Sequence, residues 1–301
     1  MGSLEDVNDY IPTGLGPIHE VDFDGSGPSL VLVHGMGGST TNWNAVAPAL
    51  ARSGRVRAID LPGFGLTPPR QDFRLTTHRD SVISYLETLD EPGHTLIGNS
   101  TGGLLAAMIA ASRPALVERL VLVSPATPPR FPDPRIDWPT FARLAVQATP
   151  VLGELFGRHF LRSNTPEELV RKSLAMITHK PGRVPMDLIA DFREMAHIRK
   201  KLPWAEYATA RTASSIAGAY LRRASYVEMI TSIEAATLVI QGASDPFVSP
   251  SAVEWLCSMR PQWDHVVLDD TGHTPHVDAP LRFIAVVNDW LARTGSLAVS
   301  V

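Results

Sequence analysis

A serine between two glycines is the first group in this sequence that could do chemistry. Residues 98–102 are Gly-Asn-Ser-Thr-Gly, a G-x-S-x-G pattern between an apolar run typical of a buried strand and one typical of a buried helix. So tight a strand-to-helix turn leaves no room for a β-carbon beside the serine, which explains glycine on both sides. We expect the turn to be strained and to expose the Ser100 hydroxyl. The pattern therefore predicts a serine nucleophile.

A serine nucleophile needs a general base and an acid that orients this base. His273 follows the last apolar run, in LDDTGHTPH, and Asp245 ends the run before it, in LVIQGASDPFV. Both belong at the carboxyl edge of a sheet, and the chain order Ser100, Asp245, His273 is the order of one known arrangement of this triad. The sequence thus predicts three catalytic residues at three strand ends.

Other groups near the histidine are alternatives or have a structural role. His276, three residues after His273, stays open as an alternative base. Asp269 and Asp270 belong to the strand that precedes the histidine, so they are poorly placed to support its ring. Asp278 is placed to cap the last helix.

An oxyanion formed at Ser100 would need two amide donors. The residue after the nucleophile, Thr101, supplies one, and the loop HGMGGSTTNW after the first parallel strand supplies the other, for which the Met36 amide is the candidate. We expect Gly35, Met36 and Phe247 to contact the substrate.

The elements that must position these residues alternate along the chain. Continuous apolar runs predict buried parallel strands, and helical patterns lie between them, as in a doubly wound α/β sheet. The segment IHEVDFDG alternates and predicts an antiparallel edge. The predicted strands are 29–35, 55–63, 94–100, 119–126, 236–245 and 265–273, and the helices between them are 43–51, 76–89, 101–112, 251–259 and 280–293.

The alternation stops between about 128 and 232, where helical patterns occur at 139–147, 166–178, 186–200 and 209–231. We expect a core domain of residues 1–129 and 233–301 with a helical cap, or lid, inserted at 130–232. Ligands of open α/β sheets bind at the carboxyl ends of the strands, and the insertion leaves from such an end. Its apolar side chains favour a hydrophobic substrate.

Composition excludes several classes of partner. The chain has 301 residues, 27 basic and 31 acidic, a net charge of -4, and no basic run that would indicate nucleic acid or a membrane surface. No apolar stretch approaches the roughly 18 residues of a membrane-spanning helix. The polar N-terminus is unlike a signal peptide, and the single cysteine, Cys257, needs no oxidising compartment. We expect a cytoplasmic protein.

Nucleotide, metal and cofactor sites are not predicted either. The glycines of GMGGST at 35–40 are not followed by Gly-Lys-Ser/Thr, and the spacing at 98–102 is not G-x-G-x-x-G. A small-molecule ester is the one partner that the residues imply.

The segments VLVHGMGGSTTNW, AIDLPGFGLT, LIGNSTGG, LVIQGASDPFV and GHTPHVDAP together resemble the α/β-hydrolase family, in the family's order and over nearly the whole chain except the insertion. The resemblance implies the α/β-hydrolase fold with a helical cap and a serine esterase that works without a cofactor. Epoxide hydrolases and haloalkane dehalogenases of this family use an aspartate nucleophile, so Ser100 argues against both.

Three functions follow from the resemblance. The first is hydrolysis, through an acyl-enzyme, of a carboxylic ester with a small-to-medium hydrophobic substrate. The second is hydrolysis of a carbon–carbon bond in a ring-fission product: GNSTGG is similar to the GNSMGG of such enzymes, although Thr274 replaces the tryptophan that usually follows their histidine. A buried arginine of the insertion, Arg193 or Arg199, would favour this function by binding a substrate carboxylate. The third is a ligand-binding protein on a hydrolase fold.

Overall fold

One eight-stranded sheet runs through residues 10–295, which are the residues that the computed structural model describes. Its strands are β1 (Tyr10–Ile11), β2 (Ile18–Asp22), β3 (Ser29–Val33), β4 (Arg55–Ile59), β5 (His94–Asn99), β6 (Val117–Val123), β7 (Ala236–Gly242) and β8 (Asp264–Leu268). The N-terminal segment from which we expect a cytoplasmic protein, and the ends of the predicted core domain, lie outside the described residues.

The strands lie in the order β1-β2-β4-β3-β5-β6-β7-β8, and all pairs from β4 to β8 are parallel. The first two strands pair antiparallel at one edge, as IHEVDFDG predicts. The mostly parallel α/β fold is therefore confirmed. The predicted strands extend too far at their carboxyl ends, and Asp269 and Asp270 lie in a turn after β8 rather than on it. Asp270 in this turn has a φ of 55°, which is outside the range of a β-strand.

Helices cover both faces of the sheet, which is why its central strands are apolar throughout. Leu96 of β5 and Leu120 of β6 belong to one buried cluster, and their chain neighbours Ile97 and Val121 belong to the other. Successive side chains of a strand point to opposite faces, so each strand supplies both cores. The strand ends are thereby held rigidly at one edge.

Twelve α-helices accompany the sheet within residues 10–295. They are α1 (Ala47–Leu50), α2 (Leu75–Leu86), α3 (Thr101–Ser112), α4 (Trp138–Ala148), α5 (Leu152–Ser163), α6 (Pro166–Ile177), α7 (Met186–Arg199), α8 (Ala205–Leu221), α9 (Arg223–Ser232), α10 (Pro250–Ser258), α11 (Pro275–Asp278) and α12 (Pro280–Gly295). No helix among the described residues is long and apolar enough to cross a membrane.

The six helices α4 to α9 lie between β6 and β7, which are neighbours in the sheet. Buried residues of this insertion, such as Leu174 and Leu188, form a cluster with Val277 of α11. The insertion therefore packs on the core beside the loop that carries His273. Its division from the core at 130–232, and its action as a lid, remain predictions.

Two helices of the insertion differ from prediction. The segment 209–231 forms α8 and α9 rather than one helix, because the backbone leaves the helical region at Arg222, with φ -95° and ψ 55°. Helix α5 is not predicted at all, since Gly153 and Gly157 lower its helical propensity. Both glycines allow close packing: a β-carbon would lie 2.1 Å from the Gln147 carbonyl oxygen at Gly153 and 2.8 Å from that of Glu206 at Gly157.

Candidate active site

Ser100 occupies the turn between β5 and α3 in a backbone conformation that L-residues rarely adopt. Its φ is 53° and its ψ is -114°. The Ser100 amide donates to the Val123 carbonyl at 2.9 Å, and its carbonyl accepts from the amides of Leu104 and Ala126. Tertiary contacts thus hold a strained residue at the end of a central strand, with its side chain partly exposed.

The glycines on either side of Ser100 are required by contact. A β-carbon on Gly98 would lie 2.3 Å from the Gly102 carbonyl oxygen. One on Gly102 would lie 2.2 Å from the Val33 carbonyl oxygen, at the end of β3. The start of α3 therefore lies in close contact with β5 and β3, and no residue larger than glycine fits at position 98 or 102.

His273 and Asp245 are hydrogen-bonded to each other. The His273 Nδ1 lies 2.8 Å from Asp245 Oδ2, and both side chains are largely buried. The second oxygen, Oδ1, accepts from the backbone amides of Phe247 at 2.8 Å and Val248 at 3.0 Å, while Oδ2 also accepts from Gln241 Nε2 at 3.1 Å. With Nδ1 donating to the carboxylate, Nε2 is free to act as a proton acceptor.

Asn99 joins the serine turn to the histidine loop. Its side-chain amide donates to the His273 carbonyl at 3.1 Å and to the Val123 carbonyl at 3.1 Å. The Phe247 ring lies against the imidazole of His273, with 4.9 Å between ring centroids. The side chain next to Ser100 therefore ties the serine turn to the loop that carries His273, at the carboxyl edge of the sheet.

His276 has a different environment from His273. Its ring stacks on Trp43 with 4.2 Å between centroids, and neither ring nitrogen has a hydrogen-bond partner among residues 10–295. Burial, and to a smaller extent the nearby His273, lower the pKa of His276 to about 3. This residue is a neutral part of the core, and no carboxylate of the described residues orients its ring.

The loop after β3 lies directly against Ser100. A β-carbon on Gly35 would be 3.1 Å from Ser100 Cβ, and the Gly38 amide closes the loop on the Gly35 carbonyl at 3.0 Å. Met36, between them, packs on the core. Thr101 is the first residue of α3, so its amide has no partner within the helix. The two predicted oxyanion donors thus belong to segments that flank the serine.

Arg199 brings the insertion to the same loop. Its guanidinium donates to the Gly37 carbonyl at 3.2 Å and to Thr209 Oγ1 at 3.0 Å. Burial lowers the pKa of Arg199, and no carboxylate among residues 10–295 pairs with it. The other arginine that the sequence singles out, Arg193, is exposed.

A small cavity of about 20 Å³ lies between Arg199 and the loops. Its lining includes Gly37, Phe64, Met195 and Ala208. Within the described residues no group of three or more histidine, cysteine and carboxylate side chains could hold a metal ion.

Comparison with known proteins identifies the family to which this fold belongs. A family model described as alpha/beta hydrolase fold matches residues 28–280. The chain belongs to this family. Among curated relatives, the pimeloyl-[acyl-carrier protein] methyl ester esterase of Aeromonas hydrophila is 27% identical over 89% of this hydrolase and 96% of the relative.

Two further proteins illustrate the range of the family. The 2-hydroxymuconate semialdehyde hydrolase of a Pseudomonas strain is 27% identical over 92% of this chain and 91% of its own. A thermophilic esterase from Thermogutta terrifontis has the same fold, with a TM-score of 0.71 and 22% identity over 95% of this chain and 98% of that one. The relatives support a hydrolase as the general class of function.

Sequence reasoning missed two residues of the hydrolase that support the histidine loop. Asp278 is predicted to cap α12, but it is the last residue of α11. Its buried Oδ2 accepts from the backbone amides of Gly272 and His179, each at 2.6 Å. The insertion and the histidine loop therefore share one carboxylate. No sequence signal reveals this contact, because residues 179 and 278 are distant in the chain. Gln241 could have been found from the sequence, since a polar residue inside an apolar strand indicates a buried hydrogen bond.

Proposed function

We propose that this hydrolase cleaves a carboxylic ester through an acyl-enzyme on Ser100. The observation that carries the proposal is the hydrogen bond between His273 and Asp245. Asn99, the neighbour of Ser100, binds the backbone of His273, and Ser100 itself is held at a positive φ. A serine, a base and a buried acid in this relation are the parts that nucleophilic acyl transfer needs. Membership of a family with esterase relatives supports the same class.

In the proposed mechanism, His273 Nε2 takes the proton of Ser100 Oγ as this oxygen attacks the ester carbonyl. The amides of Met36 and Thr101 stabilise the oxyanion, and each donor contributes about 3 kcal/mol to lowering the barrier. His273 then gives the proton to the departing alcohol, and a water molecule releases the acid by the same steps in reverse. Asp245 holds the imidazole tautomer and stabilises its cation.

The proposed substrate is a small-to-medium hydrophobic ester. Phe247 lies against His273, and Met36 follows Gly35, which approaches Ser100. Phe64, Met195 and Leu202 line the small cavity where the insertion meets the core. A cavity of about 20 Å³ holds one water molecule but no acyl chain. We therefore propose that α7 and α8 move as a lid when substrate binds.

A series of p-nitrophenyl esters from acetate to a long acyl chain tests the proposal. Ser100→Ala should lose on the order of 10⁶-fold in kcat. Ser112→Ala is the matched control, because this exposed serine ends the same helix and bonds only to the Met108 carbonyl. A wild-type protein that is as inert as Ser100→Ala on every ester would contradict esterase function.

A second candidate function is hydrolysis of a carbon–carbon bond in a substrate that carries a carboxylate. Arg199 favours it, because a partly buried guanidinium that no carboxylate of residues 10–295 pairs with can bind such a group in bidentate geometry. Arg199→Gln should then raise KM for a carboxylate-bearing ring-fission diketone at least tenfold and leave KM for a neutral ester unchanged. The exposed Arg193→Gln is the control. Equal effects on both substrates would assign Arg199 a structural role only.

A further inference from the structure

Two consecutive hydrogen bonds connect a charged side chain of the insertion to the loop that follows β3. Arg199 Nη1, at the end of α7, donates to the Gly37 carbonyl at 3.2 Å. This carbonyl shares a peptide group with the Gly38 amide, which in turn donates to the Gly35 carbonyl at 3.0 Å. The Gly35 carbonyl shares a peptide group with the amide of Met36, the candidate oxyanion donor. We call this path from Arg199 to Met36 the relay.

The relay determines where the Met36 amide points. A peptide group is planar and trans, so its carbonyl and its N–H point in opposite directions. Donors that fix the Gly35 carbonyl therefore also fix the Met36 N–H. Among residues 10–295 the Met36 amide makes no hydrogen bond, which leaves it available to a ligand. The peptide group is close to the nucleophile, because a β-carbon on Gly35 would lie 3.1 Å from Ser100 Cβ.

The core holds the same carbonyl from the other side, through His34. Its Nδ1 donates to the Gly35 carbonyl at 2.7 Å, and its Nε2 accepts from the Leu61 amide at 3.0 Å. These two bonds define which ring nitrogen carries the proton, and burial lowers the pKa of His34, which favours the neutral ring. The core thus supplies one fixed donor, whereas the second donor, the Gly38 amide, belongs to the peptide group that Arg199 holds.

Arg199 is a partly buried cation that no carboxylate of residues 10–295 pairs with. Its other hydrogen bond goes to Thr209 Oγ1 at 3.0 Å. Removing a cation from water is costly when only neutral oxygens replace the water, and such groups are concentrated at functional sites. The same helix also contacts the chain just after the loop, where Asn44 Nδ2 donates to Asp191 Oδ2 at 2.8 Å. Helix α7 is therefore fixed to the loop at two points.

We propose that Arg199 is a positioning residue that orients the Met36 amide and, by its charge, strengthens this amide as an oxyanion donor. Hydrogen bonds in a chain polarise one another, and a charged first donor makes the first bond stronger. The inference rests on the proposed esterase function. It also connects the proposed lid to the chemistry, because Arg199 belongs to α7 and can hold the loop only while the insertion is closed over the core.

Three replacements of Arg199 in the full-length protein separate its charge from its hydrogen bond. Arg199→Lys keeps a charged donor, Arg199→Gln keeps a neutral donor, and Arg199→Met keeps neither. Because a misplacement of about 1 Å in a catalytic group can cost on the order of 10²-fold in rate, kcat for a neutral p-nitrophenyl ester should fall about 10–100-fold in Arg199→Met. It should fall less in Arg199→Gln and least in Arg199→Lys.

The value of KM for the neutral ester should not change in these variants, because the lost interaction is made only in the transition state. Binding of a substrate carboxylate by Arg199 would change KM instead. Arg193→Gln is the matched control, since Arg193 lies on the same helix and is exposed. A wild-type kcat in Arg199→Met, a rise in KM alone, or a kcat as low in Arg199→Lys as in Arg199→Met would overturn the proposal.

A trifluoromethyl ketone provides a readout that a purely structural role would not change. This inhibitor adds to an activated serine and leaves an oxyanion in place of the ester carbonyl oxygen. Its inhibition constant should rise by the factor by which kcat falls in each variant. A fold that is merely weakened loses active molecules without changing this constant, so an unchanged constant in Arg199→Met would contradict the relay.

Hydrogen exchange of the Gly38 amide tests the relay without any substrate. Exchange should be about tenfold faster in Arg199→Met than in the wild type, because the loop loses a bond to a charged group. Unchanged exchange in an active esterase would refute the relay and leave the proposed function intact. Faster exchange in a protein whose wild type hydrolyses no ester would refute the proposed function and support the link between Arg199 and the loop.

Discussion

Replacing Asp278 tests whether the insertion and the histidine loop are held together by one carboxylate. In Asp278→Ala the amides of Gly272 and His179 lose their acceptor in a buried site. A hydrogen bond to a charged group contributes roughly 1.5–3 kcal/mol, so the two short bonds predict a loss of about 3–6 kcal/mol in the free energy of unfolding. Asp278→Asn keeps an oxygen for both amides and should lose roughly half as much.

The same replacement should also affect catalysis, because Gly272 immediately precedes His273. A misplacement of about 1 Å in a catalytic group can cost on the order of 10²-fold in rate. We expect kcat of Asp278→Ala to fall at least tenfold and that of Asp278→Asn to fall less. Urea unfolding and steady-state hydrolysis of a soluble p-nitrophenyl ester measure the two effects.

Asp270→Asn is the control for this experiment, because asparagine tolerates the positive φ of this position. Asp270 lies at the same junction and binds Lys180 Nζ at 2.5 Å, but its side chain is 55% exposed. Its loss should change stability and kcat far less, since exposed ion pairs contribute little. If Asp278→Ala unfolds and turns over like the wild type, or if Asp270→Asn is equally damaging, the carboxylate of Asp278 does not hold the junction.

Three further predictions concern the serine turn and the histidines. Asp245→Asn should lower kcat about 10⁴-fold in ester hydrolysis by disturbing the tautomer of His273; a loss under tenfold would contradict its role as the orienting acid. Gly98→Ala should destabilise the fold by about 3 kcal/mol in urea unfolding, because its β-carbon would meet the Gly102 carbonyl oxygen at 2.3 Å, and an unchanged midpoint would refute the close contact. The pKa of His276 is about 3 in the folded protein, below its value of about 6.5 in the unfolded chain. Between these two pH values the unfolded state binds more protons than the folded state, so the free energy of unfolding decreases as the pH drops through this range. His276→Phe should reduce this acid sensitivity in urea unfolding at pH 7 and 4, whereas an unchanged pH dependence would show that this ring does not cause it.

The fold was largely accessible from the sequence because its signals are local. Continuous apolar runs identify strands buried on both faces, and the helix predicted at 101–112 has the bounds of α3. Where prediction failed, a tertiary contact overrides local propensity. Helix α5 contains two glycines that permit close packing on its neighbours, and packing of this kind cannot be inferred from helical propensity.

The candidate site divides in the same way. Ser100, Asp245 and His273 each follow an apolar run, so their place at strand ends could be predicted. Asp278 could not, because its partners at 179 and 180 lie in the insertion. The partial burial of Arg199 could not be predicted either, since exposed and partly buried arginines can have the same spacing on a helix.

Covalent labelling tests the central claim most directly. The full-length protein is incubated with diethyl p-nitrophenyl phosphate, and its peptides are analysed by mass spectrometry. An activated serine should carry a single diethylphosphoryl group on Ser100, and Ser100→Ala should remain unlabelled while Ser112→Ala is labelled like the wild type. An unlabelled wild type, or a label on another residue, would contradict the assignment of Ser100 as the nucleophile.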